Sequence, residues 1–127
     1  MMSPEYLYLN SRDELLRIKT NAIVYFEADG NYTNIILSNK QKSTVCMNLS
    51  QMQSVLANSL KERAAIYARI GKRHIINLNY VLQIQVLRQR LVLSDGVSFA
   101  YQIEVSKEAL KKLKELYVES VGLKVRE

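Results

Sequence analysis

Residues 23–37 of this 127-residue chain, IVYFEADGNYTNIIL, decide its fold class. Two runs rich in β-branched and aromatic residues, IVYFEA and YTNIIL, flank Asp29-Gly30-Asn31. A short glycine-containing turn between such runs is a hairpin signal. Ser38-Asn39-Lys40 then separates the second run from QKSTVCM, residues 41–47, so the pattern predicts a meander of strands.

After Met47 the period changes. Asn48 stands at an N-cap with Gln51 three residues on, a capping-box arrangement, and Leu49, Met52, Val55 and Leu56 recur at helical spacing. Farther along, Leu82, Ile84 and Val86 alternate with glutamines, and Val97, Phe99, Tyr101 and Ile103 alternate with Ser98, Ala100 and Gln102. Period two predicts strands, with turns at Arg88-Gln89-Arg90 and at LSDG, residues 93–96. Ser106 is placed to cap a last helix, KEALKKLKELYVES, in which Leu110, Leu113, Tyr117 and Val121 form an apolar stripe. Tyr25, Tyr67, Tyr80, Tyr101 and Tyr117 fall where periodicity asks for core residues, which favours packing over base stacking; Tyr32, just past the turn glycine, stands outside that group. The expectation is a mostly β fold with two short helices. No repeat, low-complexity tract or linker suggests an internal boundary.

Composition narrows the function. Hydrophobic residues make up 48% of the chain and charged ones 24%, an ordinary globular balance without an apolar run near the roughly 18 residues of a membrane helix. The first residues, MMSPEYLYLNSRDELL, lack a basic flank followed by an apolar core. A soluble, cytoplasmic protein without membrane attachment is expected. The single cysteine, Cys46, excludes an intramolecular disulfide and suits a reducing compartment. Nucleophilic catalysis needs an oriented base, and His74 and Cys46 are each present once with nothing to place them together. One His and one Cys do not fill a closed metal site, and DGNYTN has neither the glycines nor the lysine of a phosphate loop. No enzyme activity, metal or cofactor is expected.

The net charge of +6 is localised. Basic and acidic residues balance over residues 1–60 and again over 95–127, whereas residues 61–94 hold Lys61, Arg63, Arg69, Lys72, Arg73, Arg88 and Arg90 against Glu62 alone. Such a patch attracts a polyanion through counterion release. Nucleic acid is the first candidate. An anionic membrane surface is the second, although it calls for a basic amphipathic helix and this stretch reads mainly as strand. At its centre lies ARIGKRHIIN, residues 68–77. A basic tripeptide is ordinarily a solvated charge run, but Ile70 on one side and Ile75-Ile76 on the other anchor this one as a corner held at both ends. Gly71 allows an unusual backbone angle or close approach to a ligand there.

In order, IVYFEADGNYTNI, YARIGKRHIIN with YVLQI behind it, LVLSDG and VSKEALKKL resemble the landmarks of the LytTR DNA-binding domain of bacterial transcription regulators. The similarity runs from about Leu15 to Tyr117. It implies an elongated, mostly β fold whose loops enter successive major grooves of double-stranded promoter DNA, often as two copies on repeated half-sites. It divides the chain into an N-terminal extension with a first strand (1–14), the domain (15–121) and a tail (122–127).

Carried over by position, the resemblance puts Thr33 and Asn34, just past Asn31 and the first turn, on a DNA-facing loop. Lys72 takes the place where members commonly carry Arg or Asn reaching a base, and Lys107, after Ser106, a place where Arg is usual. Arg69 and Asn77 would brace the loop, with phosphate contact open to Arg69. Gly71 replaces a common His and Arg73 a common Ser, so Arg73 would add a phosphate contact. Lysine can donate to guanine O6 and N7 but lacks the bidentate fork of arginine. The candidate DNA-binding set is therefore Asn31, Thr33, Asn34, Arg69, Lys72, Arg73, His74, Ser106 and Lys107. Many members carry a phospho-accepting receiver domain ahead of this one; with only residues 1–14 in that place, the expectation is a stand-alone regulator not phosphorylated within this polypeptide. The rival expectation is a module of the same fold that pairs with another regulator, through exposed strand edges, without reading DNA itself.

Overall fold

A computed structural model describes residues 5–126; residues 1–4 and 127, the outer parts of the predicted extension and tail, lie outside the described residues. The chain forms ten strands and two α-helices among the described residues, the mostly β fold with two helices that the patterning predicts. They gather into two compact units, one up to Tyr80 and one from Val81 onward. No composition shift marks that division, because the backbone passes from one to the other through the ordinary-looking 3₁₀ turn Leu78–Tyr80.

In the first unit, β1 (Tyr6–Asn10) and β2 (Leu15–Lys19) form an antiparallel ribbon, Tyr6 opposite Lys19 and Asn10 opposite Leu15. The next strands are β3 (Ile23–Asp29), β4 (Tyr32–Leu37) and β5 (Lys42–Val45), then, after α1 (Leu49–Leu60), β6 (Tyr67–Ile70) and β7 (His74–Asn77). They make one antiparallel sheet in the order β5-β4-β3-β7-β6. β3 lies at its centre, which explains its unbroken apolar run: a strand covered on both faces has no solvent side to alternate with. Phe26 pairs with Ile35 on β4 and with Ile75 on β7, so one row of apolar side chains crosses three strands on one face. Leu49, Met52, Leu56 and Leu60 of α1 close over that face, joined by Leu7, Leu9 and Ile18 from the ribbon. The first strand thus belongs to the core. Tyr25 pairs in the same way with Ile36 and Ile76 on the opposite face, and all three are buried. The predicted capping box is present: Asn48 accepts from the Gln51 amide and Gln51 accepts from the Asn48 amide, each at 2.8 Å.

In the second unit β8 (Val81–Gln85), β9 (Arg90–Ser94) and β10 (Ala100–Glu104) pair antiparallel in the order β10-β9-β8. α2 (Lys107–Val121) follows, capped by Ser106 as predicted and closed by Gly122 in the left-handed region. Leu91, Leu93, Phe99, Ile103, Val105, Leu110 and Leu113 are buried.

Three details of the alternation differ from expectation. The register slips between Val81 and Gln83, and Leu82 is left 61% exposed; an extra residue in one strand throws its side chain out of the inward series. Val86 falls in the β8–β9 turn, and Arg90 begins β9 instead of ending that turn. Val97 is 92% exposed because the Asp95 carboxylate accepts from the amides of Val97, Ser98 and Phe99 at 2.8–3.2 Å and from the Ser98 hydroxyl. That looped hydrogen bonding takes residues 95–99 out of the strand and holds the Asp95 carboxyl well below the usual range, chiefly through the Ser98 hydroxyl. Val121, predicted to end the α2 stripe, is also exposed, since the buried face of α2 reaches only through Leu110 and Leu113 to a half-buried Tyr117.

Candidate nucleic-acid interface

Strand register brings two hairpin tips together. Asp29 faces Tyr32 across the Gly30-Asn31 turn, and Ile70 faces His74 across Gly71-Lys72-Arg73. Because His74 also faces Glu27 of β3, and the Ala28 amide donates to the Arg73 carbonyl at 2.8 Å, both tips leave the same end of the five-stranded sheet side by side. Thr33 opposite Val45 brings Cys46, Met47 and the start of α1 to that end as well. Gly30 and Gly71 both have φ of +61°, a conformation that glycine enters without the Cβ penalty.

The candidate residues of this unit separate by exposure. Asn31, Lys72 and Arg73 are exposed at the tips, and neither cation meets a carboxylate among the described residues. Thr33, Asn34 and His74 are instead buried, at 0%, 5% and 6% exposure. Each has an internal partner. The Thr33 hydroxyl donates to the Met47 carbonyl at 2.8 Å; Asn34 accepts from the Thr44 hydroxyl at 2.7 Å and its amide nitrogen approaches Asp29 Oδ2 at 3.4 Å. His74 Nε2 lies 3.2 Å from Glu27 Oε2. Burial pushes the His74 pKa below its ordinary value and Arg73 adds to that, against the pull of Glu27; the neutral ring donating from Nε2 is the form that fits.

Half-buried Arg69 ties the loop to the helix. Its Nη2 donates to the Lys72 carbonyl at 3.1 Å, while Nη1 donates to Ser50 Oγ at 3.3 Å and Gln53 Oε1 at 3.2 Å on α1. Asn77, fully buried, donates to the Ile23 carbonyl at 2.9 Å and accepts from the Asn79 amide at 2.9 Å, fixing the other end of β7. Both therefore act as braces in the free chain.

Ser106 and Lys107 belong to the second unit. The Ser106 hydroxyl accepts from the Ala109 amide at 3.3 Å, and exposed Lys107 opens α2. Pairing of Arg90 with Glu104, and a 3.0 Å bond from the Val105 amide to the Gln89 carbonyl, carry the β8–β9 turn and its exposed Arg88 to the same end of the three-stranded sheet as Lys107. The candidate set omits Arg88. Its signal was the charge count of residues 61–94, but only the β9–β10 register places it near the α2 cap.

Among the described residues no group of three or more His, Cys, Asp or Glu could hold a metal ion, and no helix is long and apolar enough to cross a membrane. The sequence profile of the LytTr DNA-binding domain matches residues 13–117. Two relatives are the heme-containing CO-sensing transcriptional regulators RcoM 2 and RcoM 1 of Paraburkholderia xenovorans, 31% and 28% identical over 111 and 110 residues. Each alignment covers 87% of this chain but 38% of the relative's length. Among solved structures, a LytTr DNA-binding domain from Bacillus cereus superposes with a TM-score of 0.62, at 17% identity, over 89% of this chain and 96% of that one.

Proposed function

The chain belongs to the LytTr DNA-binding domain family, and on that premise we propose that it reads double-stranded DNA sequence-specifically, as the DNA-contacting part of a transcription regulator. The observation that carries this reading is the pair of exposed cations, Lys72 and Arg73, on a three-residue loop held at both ends by strands and from the side by Arg69. Fixing the loop before binding lowers the entropy lost on complex formation. A B-DNA major groove about 12 Å wide admits a two-stranded ribbon, and two such tips project together here, one with Asn31 and one with Lys72 and Arg73.

In this reading Lys72 reaches a base edge, Arg73 a phosphate, and Asn31 either one. Thr33, Asn34 and His74 act from inside, setting the position of the tips. Ser106 holds the start of α2 so that Lys107, with Arg88, meets DNA from the second unit. Two copies occupy repeated promoter half-sites.

Selection of bound sequences from a random duplex library tests this. The expected result is enrichment of a short motif, repeated at fixed spacing, whose affinity falls steeply with salt. Recovery of no motif, together with no salt-sensitive binding of any duplex at low ionic strength, would overturn it.

A further inference from the structure

We infer that the open edge of β2 is a docking site for a strand of another protein whose solvent-facing residues are acidic. Ribbon register fixes which backbone groups that edge presents. The Thr20 amide donates to the Glu5 carbonyl at 2.7 Å and the Ser11 amide to the Glu14 carbonyl at 2.8 Å, so the hydrogen-bonded pairs of the β1–β2 ladder fall in step with these two. Along an antiparallel ribbon such pairs alternate with pairs whose N–H and C=O groups turn away from the partner strand. Tyr6–Lys19, Tyr8–Arg17 and Asn10–Leu15 are the pairs that turn away. The amides and carbonyls of Leu15, Arg17 and Lys19 therefore point outward from β2, which pairs with β1 and with no other strand among the described residues.

The side chains of the same three residues select the partner. All three are exposed on the solvent face, Leu15 at 62%, while half-buried Leu16 and buried Ile18 alternate toward the core. The Arg17 guanidinium lies over the Tyr6 ring, 4.0 Å from its centre. Stacking on the ring face orients the guanidinium fork and lessens the freedom lost when it is paired. Neither Arg17 nor Lys19 meets a carboxylate among the described residues. An added strand would lie about 4.8 Å from β2, with the residues opposite Arg17 and Lys19 on the same face as these cations. Carboxylates there meet both charges, and an apolar residue opposite Leu15 covers it. In chain order an antiparallel partner reads acidic, any, acidic, any, apolar.

Other occupants fit less well. Two-fold pairing of β2 with a second copy, centred on the strand, sets Arg17 against Arg17, and like charges directly opposite are destabilising. A phosphodiester backbone accepts from the amides but has no donor for the three carbonyls, whereas a strand satisfies both. Charges along an edge discourage indiscriminate pairing, and these two confine it to an acidic partner. The Tyr67 hydroxyl ties the Thr20 carbonyl, next to Lys19, to the end of β6 away from Gly71, at 2.7 Å. The Lys19 end of the ribbon thus joins the sheet away from the cationic loop, and the inference stands independently of the DNA-binding reading.

The test titrates the full chain with an end-blocked peptide, TETETVT, to millimolar concentration, followed by nitrogen–proton NMR of backbone amides. Saturable shifts are expected at Leu15, Arg17 and Lys19, larger than at Lys72 and Arg73. The basic counterpart TKTKTVT should bind at least about ten-fold more weakly, through like-charge repulsion. N-methylation of both glutamates, which removes the donors facing β2, should weaken TETETVT by a similar factor, about ten-fold. The double variant Arg17→Glu, Lys19→Glu should exchange the preference and take TKTKTVT over TETETVT. Shifts that rise linearly, equal binding of the basic peptide, or undiminished binding of the N-methylated one overturn the docking edge. Movement of the same three amides by duplex DNA assigns the edge to nucleic acid and overturns it as well. A double variant that still prefers TETETVT overturns the roles of Arg17 and Lys19.

Discussion

The β3–β4 hairpin turns on two residues, Gly30 and Asn31, and the β6–β7 hairpin on three, Gly71 to Arg73, both opening on glycine at φ +61° at one end of one sheet. Past its exposed Asn31, the first carries Thr33 and Asn34 into the sheet: they lie on β4, between β3 and β5, where Met47, Thr44 and Asp29 satisfy them. The second carries its polar residues outward. Lys72 and Arg73 stand in the loop beyond the β6–β7 ladder, with their backbone held by Arg69 and Ala28 and their ammonium and guanidinium groups in solvent. Neighbouring tips of like shape thus differ in whether their polar residues are satisfied within the sheet or stand in solvent, according to whether the residue falls inside or outside the ladder.

Replacing Lys72 and Arg73 together by Ala tests that division with the largest expected effect. Duplex affinity should fall roughly 100-fold and the salt slope should lessen by about one, at roughly 1–3 kcal/mol for the base-reading contact of Lys72 and one unit of slope for the phosphate contact of Arg73. Stability should stay within about 0.5 kcal/mol, as for other exposed positions. Fluorescence anisotropy over a salt series and urea denaturation measure the two. If affinity and slope are unchanged, the outward tip is not the reader.

The inward tip should behave in the opposite sense. Asn34→Ala removes the partner of the Thr44 hydroxyl and of the Asp29 carboxylate, both on exposed residues that water can satisfy, and is expected to lower unfolding free energy by about 0.5–1.5 kcal/mol. DNA affinity of the folded fraction should change less than in the loop variant. A variant as stable as the parent would put Asn34 outside the bracing role.

Gly30→Ala and Gly71→Ala compare the two turns directly. A Cβ at either position meets nothing within 4 Å, so the cost is that of the left-handed backbone alone, about 1 kcal/mol each by denaturation. Matching losses are expected. A far larger loss at one site would show that its surroundings, and not its backbone angle, select glycine.

The smallest effect concerns His74. Its pKa is lowered in the folded chain, first by burial, so the unfolded chain binds the proton more readily. Stability from the neutral ring is therefore present above the unfolded value, about 6.5, and is lost as pH falls from there toward the folded pKa. Melting temperature should drop more between pH 7.5 and 5.5 for the parent than for His74→Gln; parallel drops would remove His74 from that window.

Local signals are legible where one residue type answers one backbone need. The Asn48–Gln51 box, Ser106 at its cap, and the glycines of the first and last hairpins are short-range hydrogen-bond and torsional demands, complete within a few residues. The alternation through Leu82 and Val97 misled because a register slip and a carboxylate gathering three amides both override period two without altering composition. The inward placement of Thr33, Asn34 and His74 was likewise invisible, because polar residues reveal burial only through partners distant in sequence: Met47, Thr44 and Glu27.

By itself the sequence determined the β3–β4 hairpin, the two helices with their caps, the concentration of the charge excess in residues 61–94, and the family landmarks, since periodicity, charge and turn chemistry are properties of adjacent residues. Only the tertiary structure decided which candidates face solvent, that the Gly30 and Gly71 turns share one end of a sheet, and that Arg69 joins α1 to the cationic loop. Those are matters of register between strands separated by some forty residues of chain, set by which apolar rows can be buried together and legible only once β3 has found β7.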